Sequence, residues 1–128
     1  MVKRILVIED DTDVRWMVAD YLSQRGYQVD TAIDGQSAIN RLSGTPADLV
    51  TLDLNMPIVD GGEVAQQLRA TNAWTAVPIV LISASHAAPA WAHKLTKATL
   101  LQKPFELRDL GAIVERLLSP TESLLPKR

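Results

Sequence analysis

Five short apolar runs recur along the chain, and an amphipathic stretch follows each: Ile5–Ile8, Tyr27–Ala32, Leu49–Leu52, Val77–Ile82 and Thr99–Gln102. Runs of four to six β-branched and aliphatic residues read as buried strands. The stretches between them carry apolar residues at helical spacing. Strict strand–helix alternation predicts one α/β domain, a doubly wound parallel sheet with helices on both faces. Right-handed crossovers then gather the C-terminal ends of all strands on one edge. Ligands and chemistry of open α/β sheets sit at that edge.

Local signals mark the helices. Val14, Met17, Val18, Tyr21 and Leu22 form a single stripe, with Thr12 as the expected N-cap and Gly26 as the C-terminal stop. Asp34-Gly35 marks a turn before a short helix carrying Ala38, Ile39 and Leu42, which Gly44 and Pro46 end. Asp60-Gly61-Gly62-Glu63 resembles a capping box, opening a third helix with Val64, Ala65 and Leu68 inward. Pro89 suits the first position of a short fourth helix carrying Trp91 and Leu95. Leu107, Leu110, Ile113, Val114 and Leu117 stripe the last helix. Trp16, Trp74 and Trp91 are expected to be packing residues, and His86 and His93 surface residues.

Composition removes several function classes. The chain has 128 residues, no cysteine and a net charge of -2 with both signs interspersed. Disulfides, thiolate metal sites and thiol nucleophiles are therefore absent. No basic footprint argues for nucleic acid. No apolar window approaches the roughly 20 residues of a membrane helix, and the N-terminal segment MVKRILVIEDD carries no leader pattern. A cytoplasmic protein is the expectation.

The strand ends are chemically unlike the strands. The first run closes on Glu9, Asp10 and Asp11, the third on Asp53, the fourth on Ser83 and the fifth on Lys103. Asp11 and Asp13 fit the N-terminus of the following helix through its dipole. Taken singly, Glu9 and Asp10 also fit that dipole, Asp53 a helix or turn cap, Ser83 a loop and Lys103 an exposed surface; gathered by one fold at one edge, they call for a shared role. Two carboxylates ~4 Å apart repel by about 4 kcal/mol at an effective dielectric near 20. Such a cluster needs a proton or a cation. An all-oxygen donor set favours a hard divalent ion, Mg²⁺ above all. Carboxylate, metal, lysine and hydroxyl together suit phosphoryl transfer, with Asp53 as attacking nucleophile.

Four segments also carry a resemblance. RILVIEDD, DLVTLDLNMPIVDG, VPIVLISAS and LLQKPF, in this order and spacing, are similar to the response-regulator receiver domains of two-component signalling. The similarity covers roughly residues 3 to 118. It implies a CheY-like sheet of order 2-1-3-4-5 with five helices, a receiver domain over 1–118, and a tail or start of a linker at 119–128. It implies Asp53 as phosphoacceptor. Mg²⁺ would be held by Asp10, by Glu9 through water, by Asp53 and by the backbone carbonyl of Asn55. Ser83 and Lys103 would contact the phosphoryl group, with Lys103-Pro104 often cis. The implied donor is a histidine kinase or phosphotransfer protein. The implied readout is the face of the fourth helix, fifth strand and fifth helix. Three positions depart from the pattern. The usual switch aromatic falls on Leu100. The segment from Ser83 to Lys103 is short by about two residues, with Pro89 at its start. Lys97-Ala98 stands where glycine-alanine is usual.

The resulting expectation is a switch rather than an enzyme, one that assists only its own phosphorylation and dephosphorylation, with Asn55 and Ser85 flanking the attacking water. A partner surface around Trp91 and Leu100 is one expectation. Oligomeric state stays open, a homodimer included. The rival readings are a receiver-like interaction module that is never phosphorylated, and an aspartate-nucleophile phosphatase. Against the latter, Asn55 stands where a second acid would be required. A flavodoxin-like cofactor binder would need a glycine-rich loop after the first strand, and none is present.

Overall fold

The computed structural model describes residues 2–56, 61–84 and 90–119, the side chain of Trp91 excepted. The expectations placed on Asp60, Ser85, His86, Pro89, the Trp91 side chain and residues 120–128 lie outside these residues. The chain runs β1 (Arg4–Ile8), α1 (Thr12–Gln24), β2 (Gln28–Ala32), α2 (Gly35–Asn40), β3 (Leu49–Asp53), α3 (Gly61–Ala70), β4 (Ile79–Ser83), α4 (Ala90–Lys94), β5 (Ala98–Gln102) and α5 (Leu107–Leu118). Single 3₁₀ turns follow α2 and α3. All strands are parallel, in the order β2-β1-β3-β4-β5. The expected doubly wound sheet and its strand order are both present.

The period of two along each strand builds two cores. Leu6, Ile8, Val50, Leu52, Ile79 and Leu81 pack with Ala38, Val64, Ala65, Leu68 and Trp74 on one face. Ile5, Val7, Leu49, Val80 and Ile82 pack with Val18, Leu22, Leu110 and Val114 on the other. The three central strands are buried on both faces, and each buried Leu or Ile contributes about 1.5–3 kcal/mol. Trp74 is the largest side chain in the core. Its indole N–H donates to the Leu42 carbonyl at 2.9 Å, so no polar atom is lost by burying it.

Several expectations need correction. Asp11, not Thr12, caps α1, its carboxylate accepting from Val14 N–H at 2.9 Å. Thr12 is the first helical residue. Gly26 ends the helix at φ 101°, as expected of a residue without a Cβ. Trp16 is 66% exposed and Met17 49% exposed, so neither packs in the core. Of the expected stripe of α1, Val18 and Leu22 are buried and Val14 and Tyr21 pack partly buried against the same core, while Ala19 is buried in place of Met17. The fourth strand begins at Ile79 rather than Val77, since Pro78 has no N–H for the ladder. Asp34 caps α2 through Ser37 N–H at 2.7 Å. No helix among the described residues is long and apolar enough to cross a membrane.

Candidate phosphoacceptor site

The ladder carries the strands one residue past their formal ends. Glu9 N–H donates to the Ala32 carbonyl at 3.1 Å, Leu54 N–H to Ile82 at 2.9 Å, and Lys103 N–H to Ser83 at 2.7 Å. These bonds fix the backbone beneath each chemical group. Asp53, the last residue of β3, is 2% exposed; Glu9 is 3% and Ser83 4% exposed. Asp10 and Asn55 are exposed beside them.

Four of the singled-out side chains converge by direct measurement. Glu9, Asp10 and Asp53 each offer a carboxylate oxygen within 4.8 Å of the others. Lys103 Nζ stands 3.5 Å from Asp53 Oδ1 and 3.9 Å from Glu9 Oε1. Both separations exceed the roughly 2.7–2.9 Å of a charge-assisted hydrogen bond. The ammonium therefore balances the acids without closing on either. Ser83 joins through the carbonyl that holds Lys103 in place. Asn55 joins through its amide N–H, which donates to Asp53 Oδ1 at 3.0 Å. The Lys103-Pro104 bond is cis. An apolar groove of about 520 Å³ borders the site, lined by Val14, Met17, Ala84, Lys103, Pro104 and Phe105.

Comparison with known proteins decides what kind of domain carries this arrangement. The sequence model of the response regulator receiver domain matches residues 5–115. The chain belongs to the response regulator receiver family. The receiver is 38% identical over 117 residues to the transcriptional regulatory protein PrrA of Mycobacterium leprae, covering 90% of this chain and 49% of that protein. It is 34% identical to the sensor histidine kinase TmoS of Ectopseudomonas mendocina, covering 91% of this chain and 12% of that protein. The chain thus spans about half of one relative and a small part of the other. Among solved structures, response regulator TrrA of Thermotoga maritima, in complex with Mg²⁺-BeF, superposes with a TM-score of 0.81 at 32% identity. That match covers 91% of this chain and 100% of the other.

The electrostatics of the receiver site are unbalanced. Burial pushes the Glu9 carboxyl up to about 8, reinforced by a hydrogen bond with Asp53 and by the Asp53 charge. The Asp11 N–H, which donates to Glu9 Oε2 at 3.2 Å, and the Lys103 ammonium pull the other way and do not win. Near neutral pH, Glu9 therefore keeps a proton that a free glutamate has lost. Excess negative charge, three convergent carboxylates and an all-oxygen donor set together fit a hard divalent cation. Glu9, Asp10 and Asp53 are the residues that could hold it.

Two contributors escaped the sequence reading. Arg15, on the first turns of α1, donates from Nη1 to the Glu9 carbonyl at 3.0 Å and the Asp10 carbonyl at 3.4 Å, pinning the acidic loop from behind. The Asn55 side chain accepts from Ala84 N–H at 3.1 Å, strapping the loop after β3 to the loop after β4. An arginine four residues after a helix cap is a weak hint at best. The expectations for Asn55 are its carbonyl on the metal and its place beside the attacking water, not a side-chain bridge to the loop after β4.

Proposed function

We propose that this receiver accepts a phosphoryl group on Asp53 from a histidine kinase or phosphotransfer protein and thereby switches a signalling face. The observation that carries the reading is the Lys103 ammonium 3.5 Å from a buried strand-end carboxylate that two further acids approach within 4.8 Å. An Asp53 oxygen attacks phosphorus, the phosphorus–nitrogen bond to the donor imidazole breaks, and an acyl phosphate remains on Asp53. The departing imidazole takes its proton from solvent. Lys103 neutralises the equatorial oxygens, and the Ser83 hydroxyl donates to one of them. A divalent cation, Mg²⁺ by donor chemistry, would be held by Glu9, Asp10, Asp53 and the Asn55 carbonyl, and would supply positive charge to the same oxygens.

The groove lined by Val14, Met17 and Phe105 beside Lys103 offers a donor helix an apolar seat next to the acceptor. Phosphorylation adds about two negative charges at pH 7. Ser83 and Lys103 are drawn inward, and α4, β5 and α5 shift population. The exposed Leu100 lies on that face. Water then hydrolyses the acyl phosphate. The domain so defined runs over 1–118 in the cytoplasm, with 119–128 as tail or linker.

Incubation with Mg²⁺ and a small acyl-phosphate donor tests the reading by intact mass. The expected result is one added phosphoryl group on the wild type and none on Asp53→Asn. Addition to both proteins, or to neither, overturns the assignment. Continuous turnover of a phosphate ester would make the protein a phosphatase instead.

A further inference from the structure

Helix α3 runs between two places that β4 also joins, since Leu54 N–H donates to the Ile82 carbonyl at 2.9 Å and Ile79 N–H to the Lys97 carbonyl at 2.9 Å. At its start, Gly61 lies directly against the phosphoacceptor segment. A Cβ on Gly61 would stand 2.8 Å from Leu54 Cα and 3.0 Å from the Asp53 carbonyl oxygen, so only glycine allows this approach. At its other end, about 12 Å along the axis, Arg69 reaches out of the helix. Its guanidinium donates twice to the Thr96 carbonyl, at 2.7 and 3.1 Å, and once each to Lys97 at 3.4 Å and Trp74 at 3.2 Å. Between the two ends, Val64, Ala65 and Leu68 are fully buried. A helix gripped along its length by a close-packed core moves as a body.

The turn that Arg69 holds is itself unusual. Lys97 adopts φ 52°, the left-handed region that a residue with a Cβ rarely occupies. Its carbonyl also accepts from Ile79 N–H at 2.9 Å, the bond that starts β4 beside β5. Ala98 follows as the first residue of β5, and the exposed Leu100 lies two residues on. The strained backbone of this turn is thus held by charge-assisted bonds to one guanidinium.

We propose that Arg69 is a positioning residue that couples the phosphoacceptor segment, through α3, to the turn entering β5. A shift of the Asp53–Leu54 backbone pushes on Gly61, α3 follows, and the Thr96–Lys97 carbonyls move with Arg69. The state of the pocket thereby reaches the start of β5 by a route independent of Ser83. The proposal rests on the reading of Asp53 as phosphoacceptor, and the test separates the two.

The experiment uses the full chain, ¹⁵N-labelled, with Mg²⁺ and acetyl phosphate, followed in parallel by intact mass and amide chemical shifts. Wild type is expected to gain a phosphoryl group and to shift at Leu54, Gly61 and residues 96–99. Arg69→Gln is expected to gain the same group and keep the shifts at Leu54. Its shifts at 96–99 should shrink by about threefold or more, the scale of a lost coupling of this kind. Arg69→Lys keeps the charge but not the fork of donors, so it covers the case in which the glutamine variant does not fold. It should show the same loss at 96–99. Undiminished shifts there in a phosphorylated Arg69 variant, or none in phosphorylated wild type, overturn the coupling. Failure of wild type to gain the group overturns the phosphoacceptor reading and the coupling with it.

Discussion

The two edges of the sheet treat charge in opposite ways. At the N-terminal edge, Arg4 meets Asp30 at 3.1 Å, both side chains more than a third exposed, and Arg4 N–H donates to Asp48 at 2.7 Å. The Arg4–Asp30 pair is closed and solvated, although the Arg4 Nε–H is buried without a partner among the described residues. At the C-terminal edge, three acids face one ammonium at 3.5 Å or more, and burial holds a proton on Glu9. The same fold thus supplies a finished edge and an incomplete one. Incompleteness is what a switch needs, because a ligand can shift an equilibrium only where it gains differential free energy.

The contrast can be broken most strongly with metal. Mg²⁺ at about 100 times its Kd should raise unfolding free energy by about 2.7 kcal/mol, and a chelator should reverse it. Asp10→Asn or Asp53→Asn should remove most of this gain, whereas Asp30→Asn should leave it intact. Chemical denaturation with and without Mg²⁺ measures it, and equal gains in all four proteins would place the ion elsewhere.

A second effect comes from pH. The folded Glu9 value of about 8 lies above its unfolded value of 4.5, so the native state binds the extra proton between them. Its contribution is fully present below 4.5 and is lost as pH rises towards 8. In chelator, stability should therefore decline across that window relative to Glu9→Gln. Mg²⁺ affinity should rise across the same window as that proton leaves. Parallel stability curves for wild type and variant would remove Glu9 as the titrating group.

The finished edge should respond least. Asp30→Asn should cost about 0.5 kcal/mol, fading at high salt, as exposed pairs do. A loss above about 2 kcal/mol would mean that the pair behaves as a buried one and that the two edges differ less than their exposures indicate.

Much of this was legible in the sequence, for physical reasons. Apolar runs of four to six residues between amphipathic stretches specify a parallel sheet, and the topology alone sends Glu9, Asp53, Ser83 and Lys103 to one edge. Burial along α1 was less legible. Val14, Val18, Tyr21 and Leu22 pack as the period implies, but Met17 and Ala19 fit that period equally well, and only the seat of the helix on β1 and β2 selects Ala19. A lone Trp16 likewise gives no sign that it faces solvent. Arg15 and the Asn55 side chain act through loop carbonyls and amides, which leave no periodic trace. The protonation of Glu9 depends on how deeply the pocket sinks, which spacing does not report. Lys97 stands where glycine is usual in the family, and glycine is the residue that bears its left-handed φ without strain.

The bond from Lys103 N–H to the Ser83 carbonyl has a consequence for inheritance as well as for chemistry. It brings Lys103 beside Ser83 across the β4–β5 ladder, where Ser83 itself pairs with Gln102, although nineteen residues lie between them. Insertions or deletions between the end of β4 and the start of β5 can therefore accumulate without moving either group. A change that slid β5 by a single residue against β4 would replace the ammonium with the flank of Gln102 or Pro104 and silence the pocket at once. Lineages of such domains should vary freely in the length of this loop and hardly at all in the register that it spans.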